Sequence, residues 1–311
     1  MDGRDEVATR VAIGYDGPLY ILAFDHRVSF QRKFFGISRE PNQEETAWIA
    51  DAKGVIFEGA SRALDEGVPR EAAGVLVDEQ FGAEIARRAK ADGLTFAMPV
   101  EKSGQDEFDF QFGELFGEHI EDFDPTFAKV LVRYNPQGDE EMNLRQTARL
   151  RRLGEWLHER GRKYLFELLV PAEPHQLEAV GGDEVRYDVE VRPELMRRAV
   201  TELQDAGMEP DIWKIEGIHR REDCEAISQT VRRDGRDGVA CVVLGRGADD
   251  DAVDHWLRVA SGVAGYIGFA IGRSIWWDAL KGFVDGTIER EEASKQIAAN
   301  YKRFIDVYNA G

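Results

Sequence analysis

Cysteine, histidine and long apolar runs are all scarce in this chain of 311 residues. The only cysteines, Cys224 and Cys241, cannot build a disulfide framework, and their spacing matches no metal-binding motif. No stretch approaches the roughly 20 consecutive apolar residues of a membrane span. The first residues also lack the basic-then-apolar order of a signal peptide. We therefore expect a cytoplasmic protein that does not enter a membrane.

Basic residues are outnumbered as well, with 40 Lys and Arg against 59 Asp and Glu and a formal net charge of −19. Nucleic acids and anionic membrane surfaces select basic proteins, so we expect neither as a partner. An anionic small molecule would need a local basic pocket. Residues 1–17 are polar and contain glycine, which predicts a flexible leader, and no linker or change of composition divides residues 18–311.

Eight short segments are apolar almost throughout, which is typical of strands that are buried on both faces in a parallel sheet. Segments with helical periodicity separate them. The predicted strands are 19–24, 74–77, 95–100, 127–132, 164–170, 212–215, 239–244 and 265–270. The predicted helices are 44–66, 80–92, 108–122, 142–161, 193–207, 222–234, 250–261 and 289–308.

Eight strand–helix units of this size predict an α/β fold, a single (β/α)₈ TIM barrel over residues 18–311. A doubly wound sheet is the alternative, but no Gly-x-Gly-x-x-Gly follows the first strand, and we expect no dinucleotide or other cofactor. Asn143 and Asp249 are predicted helix N-caps. Glycines that follow four helical segments predict left-handed C-caps: Gly67, Gly93, Gly161 and Gly207.

Three charged residues interrupt the apolar strands: Lys129, Glu167 and Lys214. A buried charge needs a partner, and a barrel directs all three toward one interior. Lysine is the nucleophile that forms Schiff bases with ketones, a second cation nearby would favour its free amine, and a glutamate can carry the protons. A purely structural cluster of buried ion pairs is the alternative interpretation.

Other polar residues follow the strand ends, where TIM barrels carry their active sites. Asp25, Glu101 and Lys102 follow the first and third strands, and Arg133 ends the fourth. The loops after the last two strands combine glycine with arginine, as phosphate sites do. These loops contain Gly245, Arg246 and Gly247, then Gly272 and Arg273. The sequence therefore predicts a phosphorylated small-molecule substrate.

The motifs at these strand ends resemble a known family. The chain from about 18 to 308 is similar to the aldolase-like region fused C-terminally to some 5-dehydro-2-deoxygluconokinases of inositol breakdown. More distantly it resembles class I tagatose-1,6-bisphosphate and sulfofructose-phosphate aldolases. The segments that carry the resemblance are Ala23–Arg27, Leu76–Gly82, Pro99–Asp106, Lys129–Tyr134, Phe166–Leu169, Trp213–Glu216 and Gly268–Arg273.

The resemblance implies a metal-independent class I aldolase, a carbon–carbon lyase of carbohydrate metabolism. It assigns the Schiff base to Lys214, proton transfer to Glu167, supporting roles to Asp25 and Lys129, and phosphate binding to Arg273. Arg133 and Arg246 depart from the tagatose-bisphosphate pattern and favour a second anionic group such as a carboxylate. The expected substrate is 5-dehydro-2-deoxyphosphogluconate, cleaved to dihydroxyacetone phosphate and malonate semialdehyde, with another ketose phosphate as the alternative.

Two further hypotheses differ in class. A metal-dependent lyase would use carboxylates and imidazoles near strand ends, although no His-x-His or His-x-x-x-His pair occurs there. Its candidate ligands are Asp25, His26, Asp78, Glu79, Glu101 and His219. A non-catalytic sugar-phosphate sensor would not need both Lys214 and Glu167. Trp276 and Trp277 are candidates for a homo-oligomer contact, with packing against the last helix as the alternative.

Overall fold

The computed structural model describes residues 13–311 and has one closed barrel of eight parallel strands in sequential order, surrounded by helices. The predicted (β/α)₈ TIM barrel is thereby confirmed. The strands are β1 (Leu19–Ala23), β2 (Ala73–Leu76), β3 (Thr95–Pro99), β4 (Phe127–Arg133), β5 (Lys163–Leu169), β6 (Ile212–Glu216), β7 (Ala240–Leu244) and β8 (Tyr266–Ile271).

The helices of the outer layer follow the strands in the expected alternation. They are α1 (Val28–Phe35), α2 (Gln43–Asp65), α3 (Glu79–Ala91), α4 (Phe116–Phe123), α5 (Glu140–Glu159), α6 (Pro174–Ala179), α7 (Glu184–Arg186), α8 (Arg192–Asp205), α9 (Arg221–Val231), α10 (Asp250–Ala260), α11 (Arg273–Val284) and α12 (Arg290–Asn309). A π-helical segment, Tyr187–Val191, joins α7 to α8. Among the described residues, no helix is long and apolar enough to cross a membrane.

Two separate apolar clusters explain why the strands are apolar on both faces. The larger cluster lies between the strands and the helices. The smaller one fills the barrel interior with side chains such as Leu19, Phe127, Leu165 and Ile212. Because side chains alternate along a strand, the residue two positions after each of these also points inward. That register places Lys129, Glu167 and Lys214 directly above the apolar interior.

The helix predictions were wrong in three respects: one N-cap, the segment 108–122, and several helices that were not predicted. Asn143 is not an N-cap, because α5 begins earlier and the Asp139 side chain accepts a hydrogen bond from the Met142 N–H at 2.9 Å. Only the end of 108–122 is α-helical, as α4, since Phe108 and Phe110 are buried at the two-residue spacing of extended chain. The helices α1, α6, α7 and α11 were not predicted, and neither α1 nor α11 has a capping side chain at its start.

Several termini agree with the sequence. The Asp249 side chain caps α10 by accepting from the Ala252 N–H, as predicted. The four predicted C-cap glycines all have positive φ. Of the predicted leader, residues 1–12 lie outside the described residues. Gly14 and Tyr15 contact the base of the barrel, where their N–H groups donate to Asp211 Oδ1 and Gly238 O.

Candidate active site

A cavity of about 830 Å³ opens at the C-terminal end of the barrel. The predicted site residues that line it are Asp25, Glu101, Lys102, Lys129, Arg133, Glu167, Lys214, Gly245, Arg246, Gly247, Gly272 and Arg273. Lys129, Glu167 and Lys214 come from within their strands, and the other nine come from strand ends, from the loops that follow them or from the start of α11. The structure therefore brings the complete predicted set to one cavity, although the individual residues differ in what they contact.

The floor of the cavity is a buried layer of charges, here called the charged layer: Asp25, Glu101, Lys129, Glu167 and Lys214. Glu167 and Lys214 are direct partners in the register of β5 and β6, so their side chains leave the sheet side by side. Glu167 Oε1 lies 3.0 Å from Lys214 Nζ, and Glu167 Oε2 lies 2.9 Å from Lys129 Nζ. One carboxylate thus joins two lysines.

Lys129 is surrounded by three carboxylates. Its Nζ donates to Asp25 Oδ2 at 2.8 Å and to Glu101 Oε1 at 2.9 Å, in addition to the contact with Glu167. Burial opposes the ammonium charge, but the three carboxylates outweigh it and raise the pKa of Lys129 well above its usual value. Lys129 is therefore a fixed cation at neutral pH.

The pKa values of two carboxylates in the charged layer are shifted downward. Burial by itself would raise the pKa of Asp25 and of Glu167, but Lys129 and then Lys214 outweigh it and lower both pKa values. Both groups are therefore ionised at neutral pH, and Glu167 can accept a proton from the neighbouring Lys214. Burial also lowers the pKa of His26 to about 4, so its imidazole is neutral.

The Arg273 side chain lies at the other side of the cavity, at the start of α11. Its Nη2 donates to the Arg246 carbonyl at 2.5 Å, and no carboxylate of the described chain lies within ion-pairing distance. Burial lowers the pKa of Arg273, with Glu167 acting against that shift. A guanidinium that lacks a carboxylate, next to the unsatisfied N–H groups of a helix N-terminus, is suited to bind an anion.

Glycine is required in both loops near Arg273. Gly247 has φ +71°, and a Cβ there would lie 2.4 Å from Arg273 Cζ. A Cβ on Gly272 would lie 2.2 Å from the Ala23 carbonyl oxygen. Gly247 lets the Arg273 guanidinium lie against the loop after β7, and Gly272 lets the start of α11 lie against the end of β1.

Arg246 lies in the same loop but is already paired. Its Nη1 contacts Asp188 Oδ2 at 2.6 Å, and its Nε lies 3.3 Å from Glu216 Oε1. The buried Arg192 contacts the same two carboxylates. This network links the loop after β7 to the π-helical segment, and neither Asp188 nor Arg192 was predicted from the sequence as a site residue.

Arg133 lies across the cavity from Arg273, because β4 is opposite β8 in an eight-stranded barrel, and Lys102 follows the neighbouring β3. Arg133 Nη1 donates to the Gln105 carbonyl at 2.8 Å, and its nearest carboxylate, on the highly exposed Asp106, is 3.8 Å away. Lys102 Nζ contacts Asp109 at 2.6 Å. Arg133 is thus the less neutralised of the two.

The candidate ligands of the metal hypothesis lie in different surroundings. Asp78 forms a fully buried ion pair with Lys53, whose Nζ also donates to the Phe24 and His26 carbonyls. His219 accepts from the Trp256 indole. Within residues 13–311, no three His, Cys, Asp or Glu side chains are grouped in a geometry that could hold a metal ion.

Lys53 was not predicted either, although the sequence contains a signal for it. It lies on the apolar stripe of α2, between the buried Ile49 and Ile56 at helical spacing. A lysine on such a stripe needs a buried acceptor. Its contacts fix the turn that presents Asp25 to the charged layer.

The chain belongs to a family of bacterial proteins. The family model is described as "Uncharacterized protein conserved in bacteria (DUF2090)", and it matches residues 8–311. No curated protein matches the chain. The family match spans the barrel and every residue of the cavity.

Proposed function

We propose that this protein is a class I aldolase that cleaves a phosphorylated keto acid through a Schiff base on Lys214. The observation that supports this most strongly is the buried Glu167, which lies within 3.0 Å of both Lys214 and Lys129. A nucleophilic amine, a proton carrier and a fixed cation are the groups that iminium chemistry requires.

In the proposed reaction, the Lys214 ammonium gives one proton to Glu167, and the free amine attacks the ketone carbon. Glu167 delivers that proton to the ketone oxygen, which becomes the carbinolamine hydroxyl, and then takes a second proton from the attached nitrogen. Glu167 passes this second proton to the hydroxyl, which leaves as water and gives the iminium ion. Lys129 remains an ammonium ion and holds Glu167 in place by charge.

Cleavage follows from the iminium. The bond between the α and β carbons breaks, its electron pair moves to the iminium nitrogen, and the β-hydroxyl proton passes to Glu167. The aldehyde leaves and an enamine remains. Protonation of the enamine carbon and addition of water then release dihydroxyacetone phosphate and the free lysine.

The two sides of the cavity favour an anion at each end of the substrate. Arg273, the glycine loops and the N-terminus of α11 would hold the phosphate. Arg133 donates to a backbone carbonyl and has the exposed Asp106 carboxylate no nearer than 3.8 Å, so it would hold the second anion. Arg246 is already neutralised by Asp188 and Glu216. A carboxylate at that end supports 5-dehydro-2-deoxy-6-phosphogluconate, which yields malonate semialdehyde.

The test is a retro-aldol assay scored by release of dihydroxyacetone phosphate. The panel contains this keto acid phosphate, tagatose-1,6-bisphosphate and sulfofructose phosphate. We expect the keto acid to be cleaved fastest, and Lys214→Arg to reduce kcat by about a thousandfold or more because arginine keeps the charge but cannot form the Schiff base.

Lys281→Arg, at an exposed lysine on α11, is the matched control and should retain wild-type kcat. Preference for the bisphosphate would contradict the assignment of Arg133. Turnover that survives in Lys214→Arg, or that is lost on addition of a chelator, would contradict the Schiff-base mechanism.

A further inference from the structure

Behind the charged layer lies a second group of buried polar side chains, here called the Arg27 cluster: Arg27, Glu79, Glu101 and His119. Glu101 belongs to both groups, because its Oε1 accepts from Lys129. Glu79 begins α3 and His119 lies on α4, and neither is used in the proposed chemistry. All four side chains are at most 10% exposed.

The side-chain to side-chain contacts within this cluster are too long for direct hydrogen bonds. Arg27 Nη1 lies 3.7 Å from Glu79 Oε1, Arg27 Nη2 lies 4.0 Å from Glu101 Oε1, and His119 Nε2 lies 3.9 Å from Glu79 Oε2. The Arg27 Nη2 does donate to the Glu101 backbone carbonyl at 2.6 Å, which fixes the guanidinium between the two glutamates.

Each of the four side chains has at least one buried polar atom without a hydrogen-bond partner in the described chain. These atoms are Arg27 Nε and Nη1, Glu79 Oε2, Glu101 Oε2 and both ring nitrogens of His119. Unsatisfied buried groups of this number are uncommon, and such groups often mark a functional role. A single proton or water can change the balance among these four side chains, because none of them forms a direct side-chain hydrogen bond with another.

Glu79 is the member of the cluster whose charge can change. Burial raises its pKa to about 7, while Arg27 and its own backbone N–H lower it and Asp78 and Glu101 raise it. Asp78 is compensated by Lys53 on α2, and His119 on α4 is kept neutral because burial and then Arg27 lower its pKa to about 4. Arg27 is therefore the cation that Glu79 and Glu101 share.

We propose that Glu79 is a positioning residue for the charged layer, whose proton determines how strongly Glu101 holds Lys129. This inference rests on the proposed function for its effect on turnover, but not for its effect on Glu101. When Glu79 is neutral, Arg27 compensates the negative charge of Glu101 alone. When Glu79 is ionised, Arg27 compensates two carboxylates and each of them less completely. Glu101 then attracts the Lys129 ammonium more strongly, and the attraction between Lys129 and Glu167 becomes weaker.

The inference is tested by following the glutamate side-chain carboxyl carbons by NMR as the pH is raised from about 5.5 to about 8.5, in the full-length protein without substrate. Signals are assigned with Glu79→Gln and Glu101→Gln. We expect the Glu79 signal to titrate near pH 7 and the Glu101 signal to shift with the same midpoint. In Glu79→Gln the Glu101 shift should be absent.

Glu84→Gln is the matched control, because Glu84 is an exposed glutamate on the same helix. It should leave the Glu101 shift unchanged. If the Glu101 signal of the wild-type protein shows no transition near pH 7, or keeps its transition in Glu79→Gln, the inference is overturned. These NMR measurements need no catalytic activity, so their outcome is independent of the proposed aldolase reaction.

The kinetic readout separates positioning from simple support of the fold. We expect wild-type kcat to fall roughly threefold as Glu79 loses its proton, whereas Glu79→Gln keeps its acidic-side kcat across the range. Equal pH profiles of kcat in the two proteins would overturn the link between Glu79 and the charged layer. Absence of turnover on the whole substrate panel would refute the proposed function and leave the NMR result as the test of Glu79.

Discussion

Replacing Lys129 by methionine should be the most damaging single change in the charged layer. The substitution keeps most of the volume but removes the cation that contacts Asp25, Glu101 and Glu167 at 2.8–2.9 Å. Removing one partner of a buried ion pair typically costs about 3–5 kcal/mol. Lys214 still compensates Glu167, so we expect a loss of about that size in the free energy of unfolding at neutral pH.

The pH dependence of this loss follows from the carboxylates. In the wild-type protein Lys129 lowers the pKa of Asp25 and Glu167, so their contribution to stability is present above their unfolded pKa values and is lost on acidification. Without Lys129, burial acts with less opposition and raises these pKa values. The folded variant then gains stability by binding protons as the pH falls. The difference in free energy of unfolding between wild type and Lys129→Met should therefore become smaller at lower pH.

Urea unfolding of both proteins at several values between about pH 5 and pH 8 measures this difference. Lys102→Met is the control, because Lys102 is about one-third exposed and such ion pairs contribute only about 0–1 kcal/mol. A Lys129→Met variant within about 1 kcal/mol of wild type, or a loss that does not vary with pH, would refute the account of the charged layer.

Three other substitutions test separate parts of the structure. Arg273→Ala should weaken binding of dihydroxyacetone phosphate by roughly tenfold to a hundredfold in calorimetry, whereas Arg32→Ala, at an exposed arginine of the cavity mouth, should not. Gly268→Ala should lower the stability by about 3 kcal/mol or more and lower the Tm, because φ is +151° and a Cβ would lie 2.0 Å from the Leu19 carbonyl oxygen. Burial raises the pKa of Glu79 from 4.5 to about 7, so the folded state favours its acid form and the wild-type protein should lose about 2–3 kcal/mol of stability between about pH 5 and pH 8. Glu79→Gln should not show that loss in urea unfolding.

The barrel could be predicted from the sequence because its strands are buried on both faces and therefore read as unbroken apolar runs. The same feature made Lys129, Glu167 and Lys214 conspicuous, since each is a charge within such a run. Their two-residue alternation with Phe127, Leu165 and Ile212 is enough to place them inside the barrel.

The partners of these residues could not be predicted, because they depend on how distant segments pack. Nothing local indicates that Lys53 contacts the turn after β1, or that Asp188 joins Arg192 to Arg246. The start of α11 was missed for a different reason. Gly272 provides no capping side chain, so the change from strand to helix carries no sequence signal.

The surroundings of Trp276 and Trp277 also could not be predicted from the sequence. Trp276 is fully buried, its indole N–H donates to the Ala23 carbonyl at 2.9 Å, and its ring centroid lies 5.6 Å from that of Phe30 on α1. It is therefore a core residue that packs on β1 and α1. Trp277 is partly buried and packs on Phe34, with the two ring centroids 4.4 Å apart. Two adjacent tryptophans look alike in the sequence, and only the packing of α1 against α11 separates them.

Borohydride reduction of the protein in the presence of dihydroxyacetone phosphate, followed by peptide mass mapping, tests the Schiff base most directly. We expect one reduced adduct, on Lys214, which is absent when borohydride is added without the ketone. We also expect Glu167→Gln to form the adduct more slowly, because the proton carrier is missing. An adduct on another lysine, or no adduct at all while dihydroxyacetone phosphate is bound, would contradict the assignment of Lys214 as the nucleophile.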